Sequence, residues 1–278
     1  MSFRVNRLVS ISFIDSSFHR LQSIVLIEPE QNKLMLILEK LIDLPRLRSL
    51  TIEELCSVKD LTAIYRLVLA LPMLTYYKIS GSYSYESISL PISIQPRPLE
   101  YLIMNHDCNF NDLSMVLSYT PQLRHLRFME SDKNSTSIRM IIPSIPIHLT
   151  YLRIHVSHVT FDEFEIFIRH LSPKLKVLMF STSFEDIAYM DACRWKRFIL
   201  QDLTHLEKFS LQYHESNYDK DESNMDFRET NPFFSSFWLK RQCTFEIQPE
   251  CEHIIYTVCP YRYEEKNLSF KNRFICFS

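Results

Sequence analysis

Rings and cations recur in this chain at a steady interval. Tyr76, Tyr101, His125 and Tyr151 follow one another at 24 to 26 residues. Two positions after each comes Lys78, Ile103, Arg127 or Arg153, and two positions further on come Ser80, Asn105, Met129 and His155. Tyr and Arg dominate the energetics of protein interfaces. Cations set beside rings suit a carboxylate or a phosphate on a partner. The chemistry these residues can do is recognition, so Tyr76, Lys78, Tyr101, Asn105, His125, Arg127, Tyr151, Arg153 and His155 are the candidate partner-binding residues. The competing explanation is that a solvated strand face tolerates Tyr and Arg for solubility and β propensity.

What positions them is a second pattern in phase with the first. L-x-x-L-x-L cores begin at Leu21, Leu47, Leu74, Leu99, Leu123, Leu149, Leu175 and Leu206, spaced by 24 to 27 residues except for a final 31. A core of this kind at a period of about 20–29 residues marks a leucine-rich repeat, one short strand plus a return segment per unit. The expected fold is an α/β leucine-rich-repeat solenoid. A curved parallel sheet would form its concave face, with helices and irregular segments on the convex face. Side chains alternate along a strand, so offsets 0, 3 and 5 face the core while offsets 2, 4 and 6 point to the concave side. Parallel neighbours lie about 4.8 Å apart, so equal offsets stack into columns: Tyr76, Tyr101, His125 and Tyr151 in one, Lys78, Ile103, Arg127 and Arg153 in the next.

Local signals agree with the period. Proline stands two residues before the strand at Pro45, Pro72, Pro121 and Pro173, where it ends the preceding return. Ten or eleven residues after the strand start comes a helix cap with an acid three residues on: Ser57 with Asp60, Asn109 with Asp112, Thr160 with Glu163. The last is a capping box, and Cys56 with Leu61, Cys108 with Leu113 and Val159 with Phe164 occupy staple positions. Apolar stripes predict helices over about 34–42, 58–71, 110–118, 161–171 and 188–203. Pro91, Pro96, Pro98, Pro143 and Pro146 predict extended returns over 81–98 and 130–148. Ser82, Cys108, Ser131, Ser157 and Ser183, eight or nine residues after each start, read as a polar ladder that satisfies turn backbone.

Several functions are excluded. The chain has 278 residues and a single glycine, Gly81, against about 19 at average usage of roughly 7%. Phosphate-cradling and nucleophile-elbow loops need glycine, so nucleotide enzymes and α/β-hydrolases are not expected, and no cofactor is implied. A net charge of −2 argues against nucleic acid and acidic membranes. No apolar run reaches the roughly 18 residues of a membrane helix. Seven scattered cysteines read as reduced thiols, placing the chain in the cytoplasm or nucleus. Cys243, Cys251, His253 and Cys259 lack the C-x-x-C pairs of a zinc site, and Cys193 beside Asp191 and Trp195 has no base in view. The expectation is a non-enzymatic binding protein without a metal.

The chain then divides into a degenerate N-terminal repeat or cap over 1–20, with a strand-like core from Leu8 to Phe13, and an array over 21–213. A polar acidic loop follows over 214–232 and an aromatic C-terminal cap of two or three short strands over 233–278. The repeats with their P-x-L lead-ins resemble the repeat half of F-box/leucine-rich-repeat proteins across about 21–212. The ending, F-W-L-K-R-Q-C-T-F-E-I-Q from Phe237 with P-Y-R-Y from Pro260, is similar to the tail of such proteins. The resemblance implies that the repeats hold a substrate for a ubiquitin ligase, in which an F-box docks on a Skp-type adaptor and cullin. The L-P-x-E-type opening of an F-box is not in this sequence. A free-standing interaction scaffold is the alternative.

Overall fold

The computed structural model describes residues 2–6, 18–56, 60–82, 87–91, 96–106, 108–130, 147–171, 174–183, 186–216, 232–250 and 253–260. Among the described residues eleven strands form one open sheet: β1 (Ser2–Asn6), β2 (Ser23–Ile27), β3 (Ser49–Cys56), β4 (Tyr76–Ser82), β5 (Tyr101–Asn105), β6 (His125–Met129), β7 (Tyr151–Val156), β8 (Val177–Thr182), β9 (Lys208–Ser216), β10 (Cys243–Pro249) and β11 (His253–Pro260). The first nine stand side by side in chain order, and each is parallel to the next. β11 then pairs antiparallel with β9, and β10 antiparallel with β11. The chain is therefore α/β with a mostly parallel sheet. Parallel neighbours require a long return between strands, which the repeat period provides.

The leucine pattern sets the register. Leu50, Tyr77, Leu102, Leu126, Leu152, Leu178 and Phe209 fall opposite one another, as do Ile52, Ile79, Met104, Phe128, Ile154, Phe180 and Leu211. All are buried in one core with the helix stripes. The helices are α1 (Gln31–Leu41), α2 (Leu61–Ala70), α3 (Phe110–Ser118), α4 (Phe161–Leu171), α5 (Ala192–Asp202) and the single turn α6 (Ser236–Lys240). α4 buries Phe161, Phe164, Phe167, Ile168 and Leu171 on one side. Burying each such side chain contributes roughly 1.5–3 kcal/mol.

Caps decide where the helices begin. Asn109 and Asp112 exchange side-chain acceptance of each other's backbone N–H, so α3 opens on a full capping box. Thr160 and Glu163 do the same for α4, at 3.0 and 3.3 Å. The cap expected at Ser57 is corrected: α2 starts three residues later, and Asp60 accepts from Ala63 N–H at 2.7 Å. Ser57 and the Cys56 side chain lie outside the described residues. The helix expected over 188–203 is split, because Asp191 ends a 3-10 turn over Ile187–Met190 and caps α5. Residues 87–91 and 96–98 are irregular, as their prolines require. The return over 131–146 and the strand core from Leu8 to Phe13 lie outside the described residues.

The turn ladder is seen at two places. The Cys108 thiol donates to the His106 and Met129 carbonyls, and the Ser157 hydroxyl donates to the Glu130 carbonyl. The side chains of Ser82 and Ser131 are not among those described, and Ser183 is exposed. Beyond β9 the C-terminal aromatics pack inward. Trp238 is fully buried among Phe209, Phe233 and Phe237.

A chain so poor in glycine must place other residues in left-handed backbone. Gln242, just after α6, has φ 58° and an exposed side chain. A Cβ there is unfavourable, which is why glycine is usual at this position after a helix. Gln242→Gly is expected to raise unfolding free energy by about 0.5–1 kcal/mol and the thermal midpoint by about 1–3 °C. Calorimetry checks this, and a fall in midpoint would show that the Gln side chain matters more than the backbone.

Candidate functional site

The ring column forms as its spacing requires. Tyr76, Tyr101, His125 and Tyr151 are register partners on β4, β5, β6 and β7. Tyr101 and His125 stack at 4.3 Å and 20°, His125 and Tyr151 at 5.2 Å and 20°, and Tyr76 sits 6.2 Å from Tyr101 at 35°. Stacking at about the strand spacing turns the ring faces along the sheet, toward one another. What the column presents away from the sheet is ring edges and hydroxyls, the positive rim of each aromatic quadrupole. Tyr101 is the most exposed member, at 38%. The Tyr151 hydroxyl donates to Met179 Sδ at 3.1 Å. Burial, then Arg124, pulls the His125 pKa down, against a smaller pull upward from Glu100.

The adjoining column runs Thr51, Lys78, Ile103, Arg127, Arg153, Met179 across β3 to β8. Its cations differ. Lys78 Nζ lies 2.6 Å from Glu53 Oε1, so its charge is answered within the protein. Arg127 is half-buried, and among the described residues it forms no ion pair. Burial lowers its pKa, and the groups acting against that are Tyr151 and Tyr76, not a carboxylate. Arg153, its register partner on β7, is only 7% exposed. The continuous basic stripe read from sequence thus contracts to one arginine pair flanked by Ile103 and Met179.

The third column carries the largest departure. Asn105 is half-buried opposite Ser80. His155, opposite Met129 and Ser181, is 6% exposed. Its Nδ1 lies 2.6 Å from Ser181 Oγ and its Nε2 3.4 Å from Ser157 Oγ. Burial, with a smaller push from His214, takes its pKa down to about 4. From Leu152 to Val156 and from Leu178 to Thr182 every residue is buried, on both faces of the sheet. The expectation that Arg153 and His155 are displayed on an open strand face is therefore corrected. Alternation fixes which face a side chain occupies, not whether that face is covered. Within the stretch from β4 to β7, the part of the face that remains accessible is carried by β4, β5 and β6, with Tyr151 at its margin.

Three residues near the columns carry structure that their types did not reveal. Glu53 neutralises Lys78, and its only sequence signal is its place diagonal to Lys78 on the preceding strand. Glu130 is fully buried, and its Oε2 accepts from the N–H groups of Ser157 and His158 at 2.7 and 3.3 Å. His106 is fully buried with Nε2 2.7 Å from the Tyr65 hydroxyl.

Other chemistry finds little support. Among the described residues no group of three His, Cys, Asp or Glu could hold a metal ion. Cys243 is buried and its thiol pKa is pushed up to about 11, the opposite of what a nucleophile needs. Trp195 is core, as its surroundings in sequence imply. No helix among the described residues is long and apolar enough to cross a membrane. No family model matches the sequence, and no curated protein matches it.

Proposed function

We propose that the protein is a leucine-rich-repeat solenoid that binds another protein, using the ring and arginine columns on β4 to β7 to hold an acidic or phosphorylated segment. The observation that carries this reading is Arg127, a half-buried guanidinium with no carboxylate partner among the described residues, set beside four aligned rings. A desolvated cation without an anion costs free energy in the isolated protein and attracts one strongly in a low-dielectric setting. Tyr and Arg supply the affinity, and the rim of Asn105 and Ile103 supplies fit. The resemblance of the repeats and ending to F-box/leucine-rich-repeat proteins makes substrate recognition for a ubiquitin ligase the favoured biological setting. A scaffold without ligase coupling is the second reading.

The test compares wild type with the Tyr101→Ala, Arg127→Ala double variant in quantitative affinity capture, alongside purified Skp-type adaptor. Loss of captured partners from a folded double variant is expected, and undiminished recovery would sink the site. Adaptor binding separates the ligase setting from the scaffold. A companion change, Arg127→Leu, removes a half-buried guanidinium that forms no ion pair among the described residues and is expected to raise stability by about 0.5–1 kcal/mol while weakening capture.

A further inference from the structure

We infer that the protein forms a twofold dimer in which β10 pairs antiparallel with β10 of a second copy, joining the two sheets edge to edge. β10 is the last strand of the sheet, and among the described residues it pairs with β11 alone. One bond fixes which of its backbone groups point outward. Glu250 N–H donates to the His253 carbonyl at 2.8 Å, as in a residue pair that exchanges hydrogen bonds across an antiparallel ladder. Such pairs alternate with non-bonded ones, and the register runs without a shift from Pro249 opposite Ile254 to Cys243 opposite Pro260. Gln248, Glu246 and Thr244 therefore bond to β11, while Cys243, Phe245, Ile247 and Pro249 turn their backbone groups to the outer edge. A row of outward N–H and C=O groups is a template for another strand.

The edge lacks the usual guards. β10 holds no lysine or bulge, and its one proline stands at the far end. Phe245 and Ile247 lie on the core side, opposite Val258 and Tyr256, and stay half-exposed. The 3-10 turn Pro232–Phe234 and α6 pack against β10 and carry Phe234 and Leu239 at 65% and 58% exposure. Apolar surface thus continues from the strand into the layer beside it, as in the core of an interface. The strand is complementary to itself in one register. Registers centred on or before Phe245 draw on the backbone of Cys243, which is only 7% exposed. Centring on Glu246 sets that carboxylate directly against its own copy, a destabilising pair. Centring on Ile247 avoids both. Ile247 then exchanges both hydrogen bonds with its copy, Phe245 N–H reaches the Pro249 carbonyl of the second copy, and Glu246 falls opposite Gln248. An isologous contact of this kind closes at two subunits. It is independent of what the columns on β4 to β7 bind.

The experiment is sedimentation equilibrium of the full chain from about 1 to 100 μM, with hydrogen exchange at both ends of that range. A monomer–dimer equilibrium is expected, and the amides of Phe245 and Ile247 should gain protection as concentration rises. Gln248→Lys sets a lysine opposite Glu246 of the second copy on both sides of the axis and should tighten the dimer about two- to tenfold; Gln248→Glu should loosen it by about as much. Ile247→Pro removes an N–H that β11 does not use and should weaken the dimer by about tenfold or more, with near-UV circular dichroism unchanged. Ile247→Val keeps that N–H and should dimerise as wild type. Gln248 is exposed, so its variants decide the matter if Ile247→Pro does not fold. A monomer at every concentration overturns the inference, and β10 amides protected in that monomer would assign the edge to a segment of the same chain. Polymers larger than a dimer also overturn it, since only a head-to-tail contact makes them. A dimer indifferent to both Gln248 variants overturns β10 as its interface.

Discussion

Trp195→Ala is expected to cost about 3–5 kcal/mol of unfolding free energy and to lower the thermal midpoint by on the order of 10 °C. Trp195 is fully buried on α5. Its ring meets Phe161 edge-on at 4.8 Å, Phe209 at 4.8 Å, Phe164 at 5.7 Å and Phe180 at 5.9 Å. One indole thus joins α4, α5, β8 and β9. Its Nε1–H donates to the Tyr189 carbonyl at 2.8 Å. Alanine would leave a large cavity and strip that carbonyl of its donor, and a rigid aromatic cluster collapses poorly into such a space. Trp195→Phe keeps most of the packing but not the hydrogen bond, and should cost about 1–2 kcal/mol. Chemical denaturation of both variants gives the comparison. A loss under about 1 kcal/mol for alanine would mean that this cluster is not the core of the C-terminal half.

The second large effect concerns acid. The folded-state pKa of His155 is about 4, below the ordinary value of 6.5. Between those values the unfolded chain binds the proton and the folded chain does not, so stability rises with pH across that window. The stabilisation is complete above about pH 6.5 and is lost as pH falls toward 4, amounting to roughly 3 kcal/mol. Burial is the main cause, since a charged imidazole beside Ser181 and Ser157 would be desolvated. His214, itself lowered by burial and by His253, adds to the trend with the same sign. Carboxylates elsewhere in the chain also take up protons in acid, so the informative quantity is a difference. Urea midpoints of wild type and His155→Gln from pH 4 to 7.5 should converge in acid and diverge near neutrality. Parallel curves would show that His155 does not hold its proton off.

The leucines, prolines and caps made the sheet order and two helix ranges legible, because each is a local rule with one outcome. α3 and α4 span the ranges their stripes predict, since Asn109–Asp112 and Thr160–Glu163 leave one place for a first turn. α2 departs because two acceptors, Ser57 and Asp60, compete three residues apart, and pattern alone does not rank them. The ring column was legible for the same reason as the sheet: equal offsets on parallel strands must stack. The charge column was not, because pairing of Lys78 with Glu53 depends on diagonal reach across the bulge between Ile52 and Leu55. Burial of Arg153 and His155 depends on what lies over the sheet, which no strand's own alternation encodes.

The strand order has a consequence for how the molecule assembles and loosens. From β2 to β8 every strand is paired with the strand before it and the strand after it in the chain. No pairing in that stretch waits for distant segments to find each other, so the loop-closure entropy of each step is that of one unit and does not grow with the length of the array. Growth can begin at any adjacent pair and proceed both ways, and opening begins at the two ends. β4 to β7 lie inside the row, with a neighbour on each side. Amide protons there should exchange last, and the columns of rings and arginines keep their alignment while the outer strands breathe.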